Sequence, residues 1–483
     1  MRLAHLEPAA KTYRRGALSV LALMCCAWIL FLFFQDGHRW DESEHAHAAW
    51  LVSRGERPLD DFFQHHQPLL WSILGLYFRI GLTGPGVLIW GRVLVALSGL
   101  MVFFSLWVLG REQDESRHVC MSWLGIVWFI GFTILLPELF VIRPETIATA
   151  AVLAALALWC KGPPSWAVAA GVLAGAACYA SPRFLLVGGC FILLGLQSWR
   201  RWLLLLAGAV TFISFYTVVS GYPFAKVLFN LRFSAYLQTV GDEPHGISEA
   251  FRLNVAELAF LPLAALLGLA MNHGRLKAIV LLGYSAIVLF ACQAAAGLFT
   301  YAQAYSPAIA AVSVTAAWIG GHSRAHNRLA GIGIGSTVVG MALLWSMMNP
   351  QPWKFTFLSD VRAREQLSAS IPAGGKAMVF TIDSPITVED ASYYGSPIWD
   401  GRDRLCRAVN GFKSSYKLPR CDFLDVLQNA KPYVIDRDIT RSMPAEDYSR
   451  AAAIIHGEYA TPTALRLSAT YFGGLMTRKA ADP

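Results

Sequence analysis

The sequence predicts a polytopic α-helical membrane protein with a small soluble α/β domain at its C-terminal end. Three observations predict it. Only 15% of the 483 residues are charged and 55% are hydrophobic, whereas soluble proteins average about 25% charged. Residues 349–483 hold 17 of the 40 Lys/Arg and 15 of the 32 Asp/Glu. Residues 1–348 therefore read as a membrane domain and the remainder as a segment able to bury its own core. Apolar runs of bilayer-crossing length recur through the first part. The net charge of +8 does not point to nucleic acid, because many basic residues sit in short loops between apolar runs, where they set topology.

The first run, 17–34, is uncharged, and no signal-peptide cleavage pattern follows it, so it reads as a retained anchor. Further spans are read at 87–109, 119–136, 146–160, 166–180, 184–197, 203–219, 255–271, 278–297, 305–321 and 329–348, about eleven in all. Residues 166–197 also fit one broken hairpin. Arg2, Lys11, Arg14 and Arg15 precede the first span. Arg111 and Arg117, Lys161, Arg200 and Arg201, Arg275 and Lys277, and Arg324 and Arg328 then fall in every second loop. The positive-inside rule makes these loops cytoplasmic. The long polar segments 35–86, 220–254 and 349–483 all fall on the other side.

Residues 68–83 are apolar but only sixteen long, with Arg79 among them. If they crossed, Arg111 would lie on the side of the acidic loop, so they read as an interfacial or re-entrant helix of the outer leaflet. In the C-terminal part, Lys376–Phe380 and Pro432–Asp436 read as short buried strands and 359–369 as a helix. Gly331-Ile332-Gly333-Ile334-Gly335 falls in a span and favours close helix packing. Seven of the nine cysteines lie in or beside apolar runs. Cys406 and Cys421 lie in the outer domain, as a disulfide or as two separate thiols.

The residues that can carry chemistry gather in the first outer loop. It runs from Trp40-Asp41-Glu42-Ser43-Glu44-His45 to Gln64-His65-His66-Gln67-Pro68. Asp41 and Glu42 are neighbours and do not share a helix face, so they read as having different roles. A solvated acidic loop is one reading. Trp40, Trp50, Phe62, Phe63 and Trp71 interleave the charges and favour a loop packed at the interface. On the same side lie Arg92, Arg143, Arg183, Lys226 and Arg232. Each alone reads as a snorkelling cation, and together they suit a phosphate. A carboxylate beside phosphate-binding cations fits sugar transfer from a lipid phosphate, with one base and a charge-stabilised leaving group. Asp41, His65 and His66 are also competent ligands for a divalent metal. Adjacent histidines lack the i, i+4 spacing of a helical metal pair, so hydrogen-bonding histidines are the competing reading.

Asp41-Glu42-Ser43-Glu44-His45-Ala46, Arg54-Gly55, Asp60-Asp61-Phe62-Phe63 and His65-His66-Gln67-Pro68-Leu69-Leu70 together resemble the first outer loop of the GT-C glycosyltransferases. The branch is that of the protein O-mannosyltransferases and the lipid A aminoarabinose transferase. Gly91-Arg92, Arg143-Pro144-Glu145, the Gly171–Gly175 run leading to Ser181-Pro182-Arg183, and Tyr301 to Pro307 follow in order, so the resemblance covers roughly residues 12–350. It implies an inverting transferase of the inner membrane, using a polyprenyl-phosphate-linked sugar at the periplasmic face. The acceptor would be a cell-envelope lipid or glycan, or a protein. The catalytic base carries onto Asp41, and a supporting or orienting role onto Glu42. Arg183, Arg143, Arg92, His65, His66, Tyr301 and Gln303 are the implied substrate or phosphate ligands. Family members often carry a lysine before the interfacial helix, and here the stretch reads His65-His66-Gln67-Pro68. A transporter or lipid flippase and a non-catalytic envelope assembly protein are the competing classes.

Overall fold

The computed structural model describes residues 19, 22–34, 39–64, 66–111, 123–135, 140–195, 198–239, 276–296, 305–321, 357–372, 377–378, 411–412, 416, 424, 426–431, 433–436, 445–460 and 475–479. Among these the chain is mostly helical. The helices up to residue 321 are α1 (Ala22–Phe34), α2 (Arg39–Ser53), α3 (Leu69–Leu74), α4 (Leu76–Arg79), α5 (Gly86–Gly110), α6 (Trp123–Leu135), α7 (Pro144–Lys161), α8 (Ala167–Ala180), α9 (Gly188–Leu194), α10 (Trp199–Ser220), α11 (Phe224–Thr239), α12 (Leu276–Ala296) and α13 (Ser306–Gly321). The runs 255–271 and 329–348, with Gly331–Gly335, lie outside the described residues. The other apolar runs coincide with helix, except that Ser181-Pro182 turns 184–197 into a short 3-10 turn, Pro182–Val187, leading into α9.

Among the described residues three helices, α5, α7 and α10, are long and apolar enough to cross a membrane. The 25 residues of α5 reach about 37 Å at 1.5 Å per residue, against a hydrocarbon core of about 30 Å. α10 turns Leu203, Leu206, Val210, Phe215, Val218 and Val219 outward, an apolar face far more extensive than water tolerates. α3 and α4 together run only from Leu69 to Arg79, with Leu69, Leu70, Trp71 and Leu74 buried. At about 16 Å they are too short to cross.

α8 packs between α7 and α10, α7 packs on α5, and α13 returns from far along the chain to pack on α5, α6 and α12. The α8–α10 contact depends on small residues. A Cβ on Gly171 would overlap the Leu205 carbonyl of α10, and one on Gly208 would overlap the Val168 carbonyl of α8. This is backbone-to-backbone packing of the small-xxx-small kind.

The helix ends divide into two groups. At one end, Lys161 Nζ donates to Arg111 O at 2.5 Å, and Arg201 Nη2 donates to Trp159 O at 2.5 Å and Gly162 O at 2.9 Å. Lys277 Nζ donates to Leu194 O at 3.2 Å. These cations satisfy the open carbonyls where α5, α7 and α9 finish, where the helix dipoles are negative. Of the basic residues in the alternate loops, Arg111, Lys161, Arg201 and Lys277 thus meet at one end. The segment with α2, α3 and α4 lies at the other end, beside the start of α5 and the finish of α8 and α10.

In the C-terminal part, α14 (Phe357–Ser370), α15 (Ala445–Glu458) and a four-stranded sheet are described. The strands are β1 (Ala377–Met378), β2 (Val434–Asp436), β3 (Tyr459–Ala460) and β4 (Leu475–Arg478), in the order β1-β2-β4-β3. β1 and β2 are parallel, with Ala377 opposite Val434, and the other pairs are antiparallel. α15 packs on β3. β1 and β2 fall within the two stretches read as strands, and α14 within one residue or two of the stretch read as a helix. Cys406 and Cys421 lie outside the described residues.

Leucine at Gly171 or at Gly208 forces α8 and α10 apart, at a cost of about 1–3 kcal/mol. The thermal midpoint of the detergent-solubilised protein, followed by loss of the monodisperse size-exclusion peak, is expected to fall for both variants. Gly283→Leu is expected to leave it in place, since a Cβ there meets nothing within 4 Å.

Candidate functional site

The first outer segment is not an open loop. Residues 39–53 form α2, whose second half has the helix-favouring run Ala46, Ala48 and Ala49. Gly55, at φ 90°, ends the helix in the left-handed region that glycine tolerates. The amides of Gly55 and Glu56 close back on Val52 O and Leu51 O at 3.1 and 3.2 Å. α2 packs on α3, α4 and α5. This burial takes in its polar residues as well as its alanines: Glu42, Ser43, Glu44, His45 and His47 are all buried.

Glu42 and Arg92 form a fully enclosed ion pair. Arg92 Nη2 donates to Glu42 Oε2 at 2.7 Å, with the two side chains 0% and 4% exposed. Arg92 Nη1 donates to Leu32 O at 2.7 Å, and Ile142 N donates to Glu42 Oε1 at 3.0 Å. The Phe357 ring of α14 lies 4.7 Å from the guanidinium carbon. Both oxygens of Glu42 and both terminal nitrogens of Arg92 are therefore engaged within the protein. The geometry gives Arg92, expected as a phosphate ligand, the task of holding Glu42. Glu42 in turn holds α2 to α5 and to the strand that enters α7.

Glu44 stands in a different environment. It is 5% exposed, and its carboxylate accepts a hydrogen bond from Gln64 Nε2. Burial pushes its pKa from the usual 4.5 up to about 7, and the Gln64 amide pulls it partly back. Next to it, His45 Nδ1 accepts from Trp71 Nε1 at 3.0 Å, which puts the proton of a neutral ring on Nε2. The His45 ring meets the His66 ring edge-on at 5.0 Å.

The rest of the segment is pinned from outside. Lys226 Nζ of α11 reaches Asp60 Oδ2 at 2.8 Å and Pro58 O at 3.0 Å. Asn230 Nδ2 donates to His66 O at 3.0 Å and to the Tyr222 hydroxyl at 2.8 Å. Ser72 and Tyr216 share a hydroxyl hydrogen bond at 2.8 Å. Aromatic contacts carry α11 into the C-terminal part: Phe412 lies 5.4 Å from Phe233, and Tyr416 lies 4.8 Å from Phe229. Lys226, read as a cation of the outer face, is thus a buried tie between α11 and the first segment.

Of the remaining expected residues, Arg143 and Arg183 are described with their side chains. Asp41 falls in the first turn of α2, one position before Glu42, and its side chain lies outside the described residues. His65, Tyr301 and Gln303 lie outside them too. Arg143 is buried at the residue before α7, in extended conformation. Arg183 lies half-buried in the turn between α8 and α9, near enough to Cys292 of α12 to act on it electrostatically. Among the described residues no group of three His, Cys, Asp or Glu side chains gathers as a metal site. Of the metal candidates only His66 belongs to them with its side chain, and it packs against His45.

No role is assigned to Glu44, Gln64 or Asn230 by the sequence reading, and Trp71 is taken only as one of the aromatics among the charges. One signal was present. Positions 41, 44 and 45 are spaced i, i+3, i+4, which puts them on one face of any helix formed there. Comparison of the chain with protein-family models, curated proteins and solved structures gives no match.

Arg92→Leu leaves the Glu42 carboxylate buried without its cation. It is expected to cost about 3–5 kcal/mol, and a double-mutant cycle with Glu42→Gln in a denaturant titration is expected to be strongly sub-additive. Glu44 predicts a pH dependence of stability. Its folded-state pKa lies above its unfolded value, so its favourable contribution is complete below pH 4.5 and is lost as pH rises through about 7. The shift corresponds to about 3 kcal/mol. Wild type is expected to lose stability relative to Glu44→Gln across that window when thermal midpoints of the two are compared.

Proposed function

We propose that the chain is an inverting membrane glycosyltransferase of GT-C type. It would move a sugar from a polyprenyl-phosphate donor to a lipid, glycan or protein acceptor of the cell envelope. In this reading residues 1–348 are the membrane domain, with about eleven spans and α2 to α4 on its periplasmic side. Residues 349–483 are a periplasmic α/β domain. The inward side is the end where Lys161, Arg201 and Lys277 meet, as the positive-inside rule requires.

The observation that carries the proposal is the enclosed Glu42–Arg92 pair. It fixes α2 at the end of the bundle away from those cations, and it commits both oxygens of Glu42 to partners within the protein. Asp41, the preceding residue, is then the carboxylate assigned to the reaction. It would remove the proton from the acceptor hydroxyl as the new bond forms between that oxygen and the anomeric carbon. The bond from the anomeric carbon to the phosphate oxygen breaks on the opposite face, and polyprenyl phosphate leaves with the electron pair. Arg183, with Arg143 in support, would stabilise the leaving phosphate. Cleavage needs no general acid, because a phosphate is a competent leaving group.

Transfer from a radiolabelled polyprenyl-phosphate sugar tests this. Asp41→Asn is expected to lower the rate by about 10²–10⁴-fold, the contribution of a general base, with the fold retained. Normal transfer by Asp41→Asn removes the base assignment. Absence of transfer by folded wild type with every donor offered removes the transferase reading and leaves a transporter or assembly protein.

A further inference from the structure

The mechanism above makes no use of Glu44, yet the geometry around it is built. Gln64, itself buried, hydrogen-bonds the Glu44 carboxyl, and the His66 ring packs on His45 one residue along α2. The return strand is therefore held to α2 at Gln64, through Glu44, and at His66, through His45. Asn230 holds its backbone from the other side through His66 O. This strand carries the paired histidines, and Glu44 and His45 share a helix face with position 41.

Among the described side chains, the charged groups nearby are already engaged. On α2, Glu42 is paired with Arg92 of α5, and His47 stacks on Trp50. α3 brings Trp71 and no titratable group, and α4 brings Tyr77 and the exposed Arg79. Across the strand, Lys226 is paired with Asp60. A single amide donor does not offset the cost of enclosing a carboxylate, so the neutral carboxyl is the form this environment accepts.

We propose that Glu44, protonated, is a positioning residue of the outer site: it holds the return strand, at Gln64 and His66, against α2 and thereby sets the His66 side chain relative to that helix. The functional half of this rests on the transferase reading; the structural half does not. Ionisation puts an unpaired negative charge into the contact with Gln64 and loosens the strand. The upward shift of the Glu44 pKa to about 7 places that event near neutrality.

Two measurements on the full chain in lipid nanodiscs test it. In the transfer assay, wild type is expected to lose kcat as pH rises through about 7. Glu44→Gln, which mimics the neutral form, is expected to keep the low-pH rate and lose that alkaline fall. Glu44→Ala is expected to lose about 10²-fold at every pH, the effect of a misplaced site. In hydrogen exchange, corrected for intrinsic rates, amides of residues 62–71 are expected to lose protection between about pH 6 and pH 8 in wild type and not in Glu44→Gln. An alkaline fall that persists in Glu44→Gln overturns the proposal. So does a folded Glu44→Gln that is inactive at every pH, since Glu44 would then act as an ionised group. Protection of 62–71 that is independent of pH in wild type overturns it as well. If wild type transfers nothing, the transferase reading fails, and the exchange measurement alone decides whether Glu44 holds the strand.

Discussion

The buried pair of Glu42 and Arg92 is the constraint on which the α2 end of the molecule depends. Enclosing two opposite charges costs several kcal/mol each in lost hydration, and their attraction offsets this only where the remaining hydrogen-bonding capacity is filled. Here the filling comes from separate parts of the chain: Leu32 O from α1, Ile142 N from the strand before α7, and the Phe357 ring from α14. Each part is where it is, in some measure, because the pair would be unfavourable without it. α1, α2, α5, the entry to α7 and the first helix of the C-terminal part are thereby held at one point.

That constraint changes what the polar first segment is. Between two apolar stretches, a run of acids and histidines has the composition of a water-exposed loop. Once α2 is fixed to α5, its other faces meet α3 and α4, and Glu44, His45 and His47 go under cover with it. The Lys226–Asp60 and Asn230–His66 contacts then brace the return strand from α11. At the opposite end the cations have a simpler task. Lys161, Arg201 and Lys277 close off helix carbonyls, and both their place in alternate loops and their partners follow from the helix ends.

The two ends differ in how far the sequence discloses them. Helix positions such as α5 are legible because apolarity over twenty or so residues is a local property. The shortness of the apolar stretch 68–83 is legible for the same reason. That Asp41 and Glu42 diverge follows from helix geometry alone. The partner of Glu42 does not, since Arg92 lies 50 residues away. A sequence shows that Arg92 and Lys226 are charged, and both read as free cations until the fold supplies a carboxylate to each. The burial of Glu44 is less legible still, because it is a property of how three short helices dock.

Glu42 and Glu44 are chemically the same residue two positions apart on one helix, about 200° around its axis. One faces an arginine and a backbone amide. The other faces one carboxamide in an enclosed space, and is suited to be neutral. Environments that drive like groups apart in this way are the general means by which one fold separates a fixed charge from a mobile proton. On α2 that separation gives Glu42 and Glu44 different surroundings one turn of helix apart at most, and under the proposed reaction it is Asp41, beside them in sequence, that serves as the base.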